Sequence, residues 1–446
     1  MIMNSTNNEI LPQGYRMTEL GPLPEEWEVV RLGEVAEKMK AGGTPRRSVK
    51  EYWGGNIPFV LIEDMTSCNL YLSKTKETIT EEGLNSSSAW LVPPNTILLS
   101  MYATIGETAI NTIPVTTNQA ILAIIPKDNF DTVFGAYILK YNDQRLIMQN
   151  IQSTQKNVNK GIVDNFKIPL PPLPEQQKIA AVLSAVQEAK EKTQAVIDAT
   201  KALKKSMMKH LFTYGPVPPE ETEDVPLKET EIGKVPEEWE VVKLGEVFEF
   251  SKKPKNLKIN DNDLIPFIPM EMISDTNQSI KYWEEKSYSE IPSGSFVFKN
   301  DIIIAKITPS FENGKQAILD KLPLDYGYAT TEIWALHPKN ENVITQYLYY
   351  YLKVDPIRMN LAGKMEGSTG RQRLPKHVLE NLSLPLPPLP VQQKIASILS
   401  AIDAKIEAEE NKKQALEELF KTLLHNLMTA NIRVDKDRIN LKEHEL

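Results

Sequence analysis

Residues 168–185 read IPLPPLPEQQKIAAVLSA, and residues 384–401 read LPLPPLPVQQKIASILSA. At the offset 384 − 168 = 216, fourteen of the eighteen positions are identical. Each PLPPLP run (169–174, 385–390) is stiff and extended, because proline fixes φ and carries no N–H. Its last proline can sit in the first turn of a helix, where the missing N–H costs nothing. Beyond it stands no Gly or Pro until Gly215 and Pro216 end the first copy. Ile179, Val182, Val186, Ala189, Val196, Leu203 and Met207 recur at three- and four-residue steps, with Leu183, Ile197 and Leu211 widening the stripe. The second copy supplies Ile395, Ile398, Ile402, Leu416, Leu419, Leu423 and Leu427. Heptad spacing sustained over several heptads predicts a coiled coil. Thr193, Thr200 and Glu409 are polar at seam positions; they set register or simply face solvent.

A helix of about 38 residues is about 57 Å long, too long to pack only on its own small domain. Pairing the two helices within one chain buries both stripes. Duplication makes a pseudo-two-fold arrangement natural, and that arrangement makes the helices antiparallel. The alternatives are parallel helices or pairing between chains.

The chain repeats itself upstream as well. Residues 18–35, TELGPLPEEWEVVRLGEV, match residues 230–247, TEIGKVPEEWEVVKLGEV, at fourteen of eighteen positions and the offset 230 − 18 = 212. Between these frames the two middles diverge, sharing only traces such as Gly106 with Gly314 and Ala109-Ile110 with Ala317-Ile318. A duplicated enzyme would keep its reactive residues in both copies. A duplicated reader of two unlike targets would keep its frame and vary its middles.

The expected fold is therefore α+β: two mixed α/β domains separated by a pair of long antiparallel helices forming a coiled coil, with a pseudo-two-fold internal repeat. The domain division is 1–168 and 230–384 for the two globular domains, 169–213 and 385–430 for the helices, 214–229 for a Pro-rich acidic linker that reads as extended, and 431–446 for a tail. Strands are expected at 57–62, 96–100, 120–125, 296–298, 302–307 and 331–336, and helices at 134–142 and 343–352.

Composition narrows the function. With 446 residues, more than one core is expected. Hydrophobic content of 41% and charged content of 25% exclude a mainly disordered chain. No apolar run approaches the roughly 20 residues that span a bilayer, and the start, MIMNSTNNE, has no signal-peptide character. Cys68 stands alone, so neither a disulfide nor a cysteine zinc site is available within the chain. A cytoplasmic protein is expected. The net charge of −8 argues against a nucleic-acid binder, but the acidic residues gather at 220–224 and 407–410. The middles are near neutral and contain basic clusters.

No Asn-Pro-Pro-Tyr or Asp-Pro-Pro-Tyr methyltransferase segment and no GxxxxGK[ST] phosphate loop exist in the sequence. His337, His210, His377 and His425 are scattered without metal spacing. Asp275 with Glu284-x-Lys286 can be pressed into a metal-nuclease pattern, but the spacing is common and occurs in one copy only.

Taken in order, the segments LPEEWEVVRLGEV (23–35), GGTPRR with EYWGGNIPFV (42–60) and IPLPPLPEQQKIA (168–180), followed by a second opening and closing motif, resemble the specificity subunits of type I restriction–modification systems. The resemblance covers nearly the whole chain. It implies that each middle is a target recognition domain reading one half of a split double-stranded DNA sequence. It implies that the helices hold these domains apart and bind modification subunits. No cofactor is expected in this chain; S-adenosylmethionine is expected in the modification subunits, and ATP and Mg in the restriction (motor) subunits. The chain itself would be non-catalytic. The second copy departs from the first at GGTP…YWGG, where it reads SKKPKNLKINDNDLIPFIPM (251–270), so contacts cannot be carried across there. The reading from another class is a coiled-coil adaptor that never touches DNA.

Candidate DNA contacts follow from side-chain chemistry. Arg46, Arg47 and Lys50 follow the Gly-Gly-Thr-Pro turn, and arginine reads guanine or holds phosphate; the alternative is solvated cations over a Tyr52-Trp53 core. Lys252, Lys253, Lys255 and Lys258 form a lysine run suited to phosphate, or a solvated loop. Gln155, Lys156, Asn157 and Lys160 stand just before the first closing motif. Arg371, Gln372, Arg373 and Lys376 stand at the corresponding place in the second copy. Tyr102 and Thr104, and Lys306 and Thr308, each follow a strand.

Overall fold

The computed structural model describes residues 11–149, 158–291, 293–368 and 370–434. The chain divides into two compact units, residues 1–193 with 412–446, and residues 194–411.

The repeated motifs are joined to each other. Glu28–Arg31 pairs antiparallel with Lys167–Leu170, Val30 opposite Ile168. Glu240–Lys243 pairs with Ser383–Leu386, Val242 opposite Leu384. A two-stranded pair tolerates the prolines, since their missing N–H faces no third strand. Each copy opens on a hairpin, Tyr15–Thr18 with Gly21–Pro24 and Leu227–Thr230 with Gly233–Pro236. The expected extended linker therefore contains a 3-10 turn, Pro219–Asp224, and the first strand of this hairpin.

The middles share more than their sequences indicate. In unit 1 a five-stranded sheet runs Ala36–Ala41, Ile121–Pro126, Thr96–Ser100, Thr108–Asn111, Tyr71–Leu72. In unit 2 a four-stranded sheet runs Phe248–Phe250, Ile333–Pro338, Ile302–Ala305, Gln316–Ile318. The first four strands correspond one to one. Each sheet is backed by a buried helix, Thr132–Tyr141 or Thr345–Tyr351. Each unit also has a second sheet, built around Trp53–Val60 or Leu264–Ile268.

The long helices are Leu173–Tyr214 and Leu389–Met428, with Pro174 and Pro390 in their first turns. The first begins at Leu173 rather than at 169, because Pro169 and Leu170 are held in the strand paired with Glu28–Arg31. Within each unit the helical segments run antiparallel. In unit 2 Lys201 pairs with Glu410 and Lys204 with Asp403. In unit 1 Lys190 lies over Phe420, while Glu175 meets Arg433 just beyond the second helix. Partner numbers fall as the first helix advances.

The seam is phased differently from the strict heptad reading. Leu183, Ile197, Met208 and Leu211 are buried, whereas Val196, Leu203 and Leu419 are 40%, 52% and 45% exposed. A straight helix drifts about 20° per heptad against a 3.5-residue repeat. A stripe set from Ile179 thus walks off the buried face by Val196. Thr193 and Glu409, at the same repeat position, are both buried. Thr193 donates to the carbonyl of Ala189 in its own helix, and Glu409 accepts from Lys405 one turn before it. Among the described residues no helix is long and apolar enough to cross a membrane.

Candidate nucleic-acid interface

In both units the loop after a central strand is tied to the segment leading into the closing motif. In unit 1 the strand Thr96–Ser100 runs into Met101, whose carbonyl accepts from the Val158 N–H at 3.2 Å. In unit 2 the strand Ile302–Ala305 runs into Lys306, whose carbonyl accepts from the Leu374 N–H at 2.8 Å. Val158 and Leu374 are 216 residues apart and both fully buried. The same anchor thus displays two different sets of side chains.

In unit 1 this junction gathers Tyr102, Thr104 and Lys160, all exposed. Ser100 Oγ donates to the Tyr102 carbonyl, and Ala103 adopts φ 55°, which turns the loop outward. Asn159 caps the helix Lys160–Asp164 through the Ile162 N–H at 3.0 Å. A lysine in the first turn opposes the helix dipole, so Lys160 is not there to stabilise that helix. Gln155, Lys156 and Asn157 lie outside the described residues.

The GGTP turn lies beside the same strand ends. A Cβ on Gly42 would stand 1.9 Å from the Thr117 carbonyl oxygen, so only glycine fits. Thr44 Oγ1 donates to Gln119 at 2.7 Å. Arg46 and Lys50 are exposed. Arg47 is already engaged: it pairs with Glu77 at 2.7 Å and lies 4.0 Å over the Trp53 ring. Trp53 is half-buried, edge-on to Phe59. Tyr52 is half-buried too.

Unit 2 brings more of its candidates together. Glu366–Ser368 and Arg371–Arg373 form a short hairpin. Gly370 at φ 79° supplies a left-handed turn residue, and the Thr308 N–H donates to Gln372 at 3.0 Å. Lys306 Nζ lies 4.2 Å over Trp334, Trp334 packs edge-on against Phe250, and Lys376 Nζ lies 4.6 Å over Phe250. Lys376 also pairs with Glu380 at 3.3 Å. Burial pushes the Lys306 ammonium below its ordinary value, opposed by Glu332. Arg373 donates from Nε and Nη2 to the two oxygens of Glu332 at 2.9 and 2.7 Å. Its hydrogen bond holds Glu332 below the usual carboxylate range. Arg371 is exposed and has no ion pair among the described residues.

The lysine run is split. Lys252 leaves the strand Phe248–Phe250 exposed. Lys253 donates to the Tyr288 hydroxyl at 2.9 Å and lies over its ring. Lys255 and Lys258 are exposed on a loop whose Leu257 and Ile259 pack on a separate cluster of Ile265, Phe296 and Tyr328.

Sequence reasoning missed Lys38 and Lys40, which are exposed and lie 4.4 and 5.4 Å from the Trp90 ring centre. The signal was the alternation in the strand Ala36–Ala41, with Met39 buried between them. It also missed Glu332, Trp334 and Phe250, which organise the unit 2 cations. Glu284 pairs with Lys286, and no group of metal-ligating side chains occurs among the described residues.

A twice-built α/β frame that presents unlike polar and basic loops from equivalent places defines a class of duplicated recognition proteins. Residues 24–199 and 236–418 match the family described as the type I restriction modification DNA specificity domain, and the chain belongs to that family. It is 26% identical over 438 residues to the type I restriction enzyme MjaIX specificity subunit of Methanocaldococcus jannaschii, covering 95% of this chain and 97% of that one. The MjaVIII specificity subunit of the same organism is 28% identical over 428 residues, covering 92% and 94%. The EcoAI specificity subunit of Escherichia coli is 33% identical over 199 residues, covering 44% of this chain and 33% of that one. Among solved structures, the type I restriction-modification S subunit from M. genitalium shares the fold with a TM-score of 0.55 at 16% identity, covering 90% of this chain and 96% of that one. A chain solved in work on assembly and conformational transition of the type I R-M system gives 0.54 at 18% identity, covering 92% and 99%.

Proposed function

We propose that this chain is the non-catalytic reading subunit of a type I restriction–modification assembly, each unit contacting one half of a bipartite duplex target. The observation that carries this reading is the shared anchor, Val158 on Met101 and Leu374 on Lys306, displaying unlike side chains in the two units. An enzyme copied twice has no reason to vary the displayed surface alone. A reader of two half-sites does.

Lys306, Arg371, Arg373 and Lys376 in unit 2, and Lys160, Arg46 and Lys50 in unit 1, are the cations assigned to the duplex. Tyr102, Thr104, Thr308 and Gln372 add polar groups for base edges. Lys252, Lys255 and Lys258 serve phosphates, which orient without specifying sequence. Arg47, whose guanidinium is both paired with Glu77 and held over the Trp53 ring, and Lys253, held over the Tyr288 ring, are assigned mainly to loop shape. Arg373, by contrast, is paired through one edge and keeps its other edge for the duplex.

The long helices set the distance between half-sites about one helical turn apart and dock the modification subunits. Val196 and Leu203 are exposed apolar groups available for that docking. S-adenosylmethionine belongs to the modification subunits, which extrude and methylate adenine; ATP and Mg belong to the restriction subunits. The cytoplasm, where the host DNA lies, is the assigned compartment.

Seven residues inserted in one long helix test the spacing role. Mapping of methylated adenines should then show an altered spacer between unchanged half-sites. An unaltered spacer contradicts the role.

A further inference from the structure

We infer that Glu332 is a positioning residue that fixes Arg373 for end-on, two-bond readout of one guanine in the half-site assigned to unit 2. The inference rests on the proposed DNA-reading role of that unit.

Glu332 immediately precedes the strand Ile333–Pro338, paired with Arg373 and with the Lys306 charge nearby. A lone carboxylate facing a duplex is repelled by phosphates, so its placement among these cations needs a reason. Its geometry supplies one. Both oxygens are taken by the side edge of the Arg373 guanidinium, Nε and Nη2. Arginine has five N–H donors in a rigid plane. Side-on pairing leaves the end edge, one N–H on each of Nη1 and Nη2, pointing away from Glu332. Those two parallel donors match guanine O6 and N7 in the major groove.

The backbone around the pair is held as well. Leu374 N–H is bonded to Lys306 and Thr308 N–H to Gln372, while the Lys306 N–H donates to the Glu332 carbonyl at 3.0 Å. The strand end, the loop and the hairpin thus form one hydrogen-bonded piece. The arginine side chain is 52% exposed and Glu332 28% exposed, so the guanidinium is presented to solvent while its partner is partly covered. A flexible arginine would sample many orientations; a clamped one has lost that freedom before binding. Arg371, two residues away on the same strand, has no such clamp and suits phosphate. Unit 1 places Ala120 where unit 2 has Glu332, immediately before the equivalent strand Ile121–Pro126. The clamp is therefore private to one unit, as a specificity feature should be.

The test uses the full chain assembled with its modification subunits, with sequence-resolved mapping of methylated adenines and duplex binding in parallel. Arg373→Ala should relax one G·C position of one half-site, with roughly ten- to hundred-fold less discrimination there. Glu332→Ala should relax the same position. Glu332→Gln, which keeps the volume if the alanine variant fails to fold, should relax it in the same direction. The half-site read by unit 1 should stay unchanged in all three. Lys306→Ala should instead weaken binding to all sequences alike. If Arg373→Ala relaxes one position but both Glu332 variants leave it sharp, the positioning role is overturned while DNA reading by unit 2 stands. Equal weakening on every sequence by the Glu332 variants also overturns it, showing a merely structural pair. If Lys306→Ala, Arg371→Ala and Arg373→Ala combined change neither the methylated sequence nor the affinity, the underlying reading fails too.

Discussion

Gln176 and Gln392, 216 residues apart, make the same three hydrogen bonds in their respective units. Gln176 donates to the carbonyls of Pro171 and Asn129 and accepts from the Asp131 N–H, at 2.8, 3.1 and 2.9 Å. Gln392 donates to Pro387 and Asn342 and accepts from the Ile344 N–H, at 2.9, 2.8 and 3.2 Å. Both are buried. Each ties the first turn of a long helix to the loop ahead of the helix behind the sheet. This is the physical content of the repeated PLPPLPxQQK motif: proline sets the approach, and glutamine locks it.

Leaving these groups unpaired is costly, since each buried unsatisfied group loses about 1–3 kcal/mol. Gln176→Leu or Gln392→Leu should cost about 3 kcal/mol each, read from denaturant unfolding of the full chain. A loss well under about 1 kcal/mol would show that water replaces the glutamine.

The first copy carries an extra clamp. Arg433 pairs with Glu175 at 2.7 Å and with Glu26 at 2.7 Å, while Trp27 Nε1 donates to Glu175 at 3.0 Å. Val391 occupies the position of Glu175 in the second copy, by the 216 offset. Glu175→Val should destabilise by about 2 kcal/mol, because it leaves the buried Trp27 indole N–H without its acceptor and the Arg433 guanidinium with Glu26 alone. Arg433→Met should cost more, about 3 kcal/mol, since it leaves the Glu175 carboxylate, only 11% exposed, with the Trp27 N–H as its remaining donor. Unfolding of the two variants side by side checks the order.

Unit 2 has a pH-dependent pair. Asp301 is fully buried; it accepts from His337 at 2.7 Å and from the Phe298 N–H at 2.8 Å. The hydrogen bond to Asp301 raises the His337 imidazole above its ordinary value of 6.5, against burial. Burial pushes the Asp301 carboxyl up, and His337 opposes that shift. Protonated His337 is thus favoured in the folded chain. Its stabilisation is complete below pH 6.5 and disappears as pH rises through the raised value. Thermal unfolding at pH 6 and 8 should show unit 2 weaker at the higher pH. His337→Gln should flatten the difference, and an undiminished slope would contradict the assignment.

Leu203 and Val196 lie on the exposed side of the first long helix. Leu203→Asp should leave unfolding of the chain nearly unchanged, within about 0.5 kcal/mol for a surface site. It should also reduce capture of the modification subunits. Unchanged capture would move the docking surface elsewhere.

The frame was legible because its residues repeat. Two matched motifs, a proline-stiffened approach and long helices without breakers announced the duplication. The strand Thr96–Ser100 and the helix Thr132–Tyr141 were visible from apolar runs. The seam phase was not, because Val196 and Leu203 satisfy a heptad count that a straight helix outruns. The kinship of the two middles was also hidden: strand order is set by backbone pairing, which unlike side chains can share. At the candidate interface, charge alone could not show that Arg47 pairs with Glu77 and lies over Trp53, while Arg371 has no ion pair among the described residues. Glu332 was invisible because an acidic residue does not look like a DNA contact until its arginine is beside it.

The most direct measurement exchanges one middle. Residues 36–152 are replaced by the corresponding segment of a relative with a different target, and methylated adenines are mapped after assembly with the modification subunits. One half-site should change, with the other half-site and the spacer preserved. An unchanged methylated sequence, or loss of both half-sites in a folded and assembled protein, would contradict it.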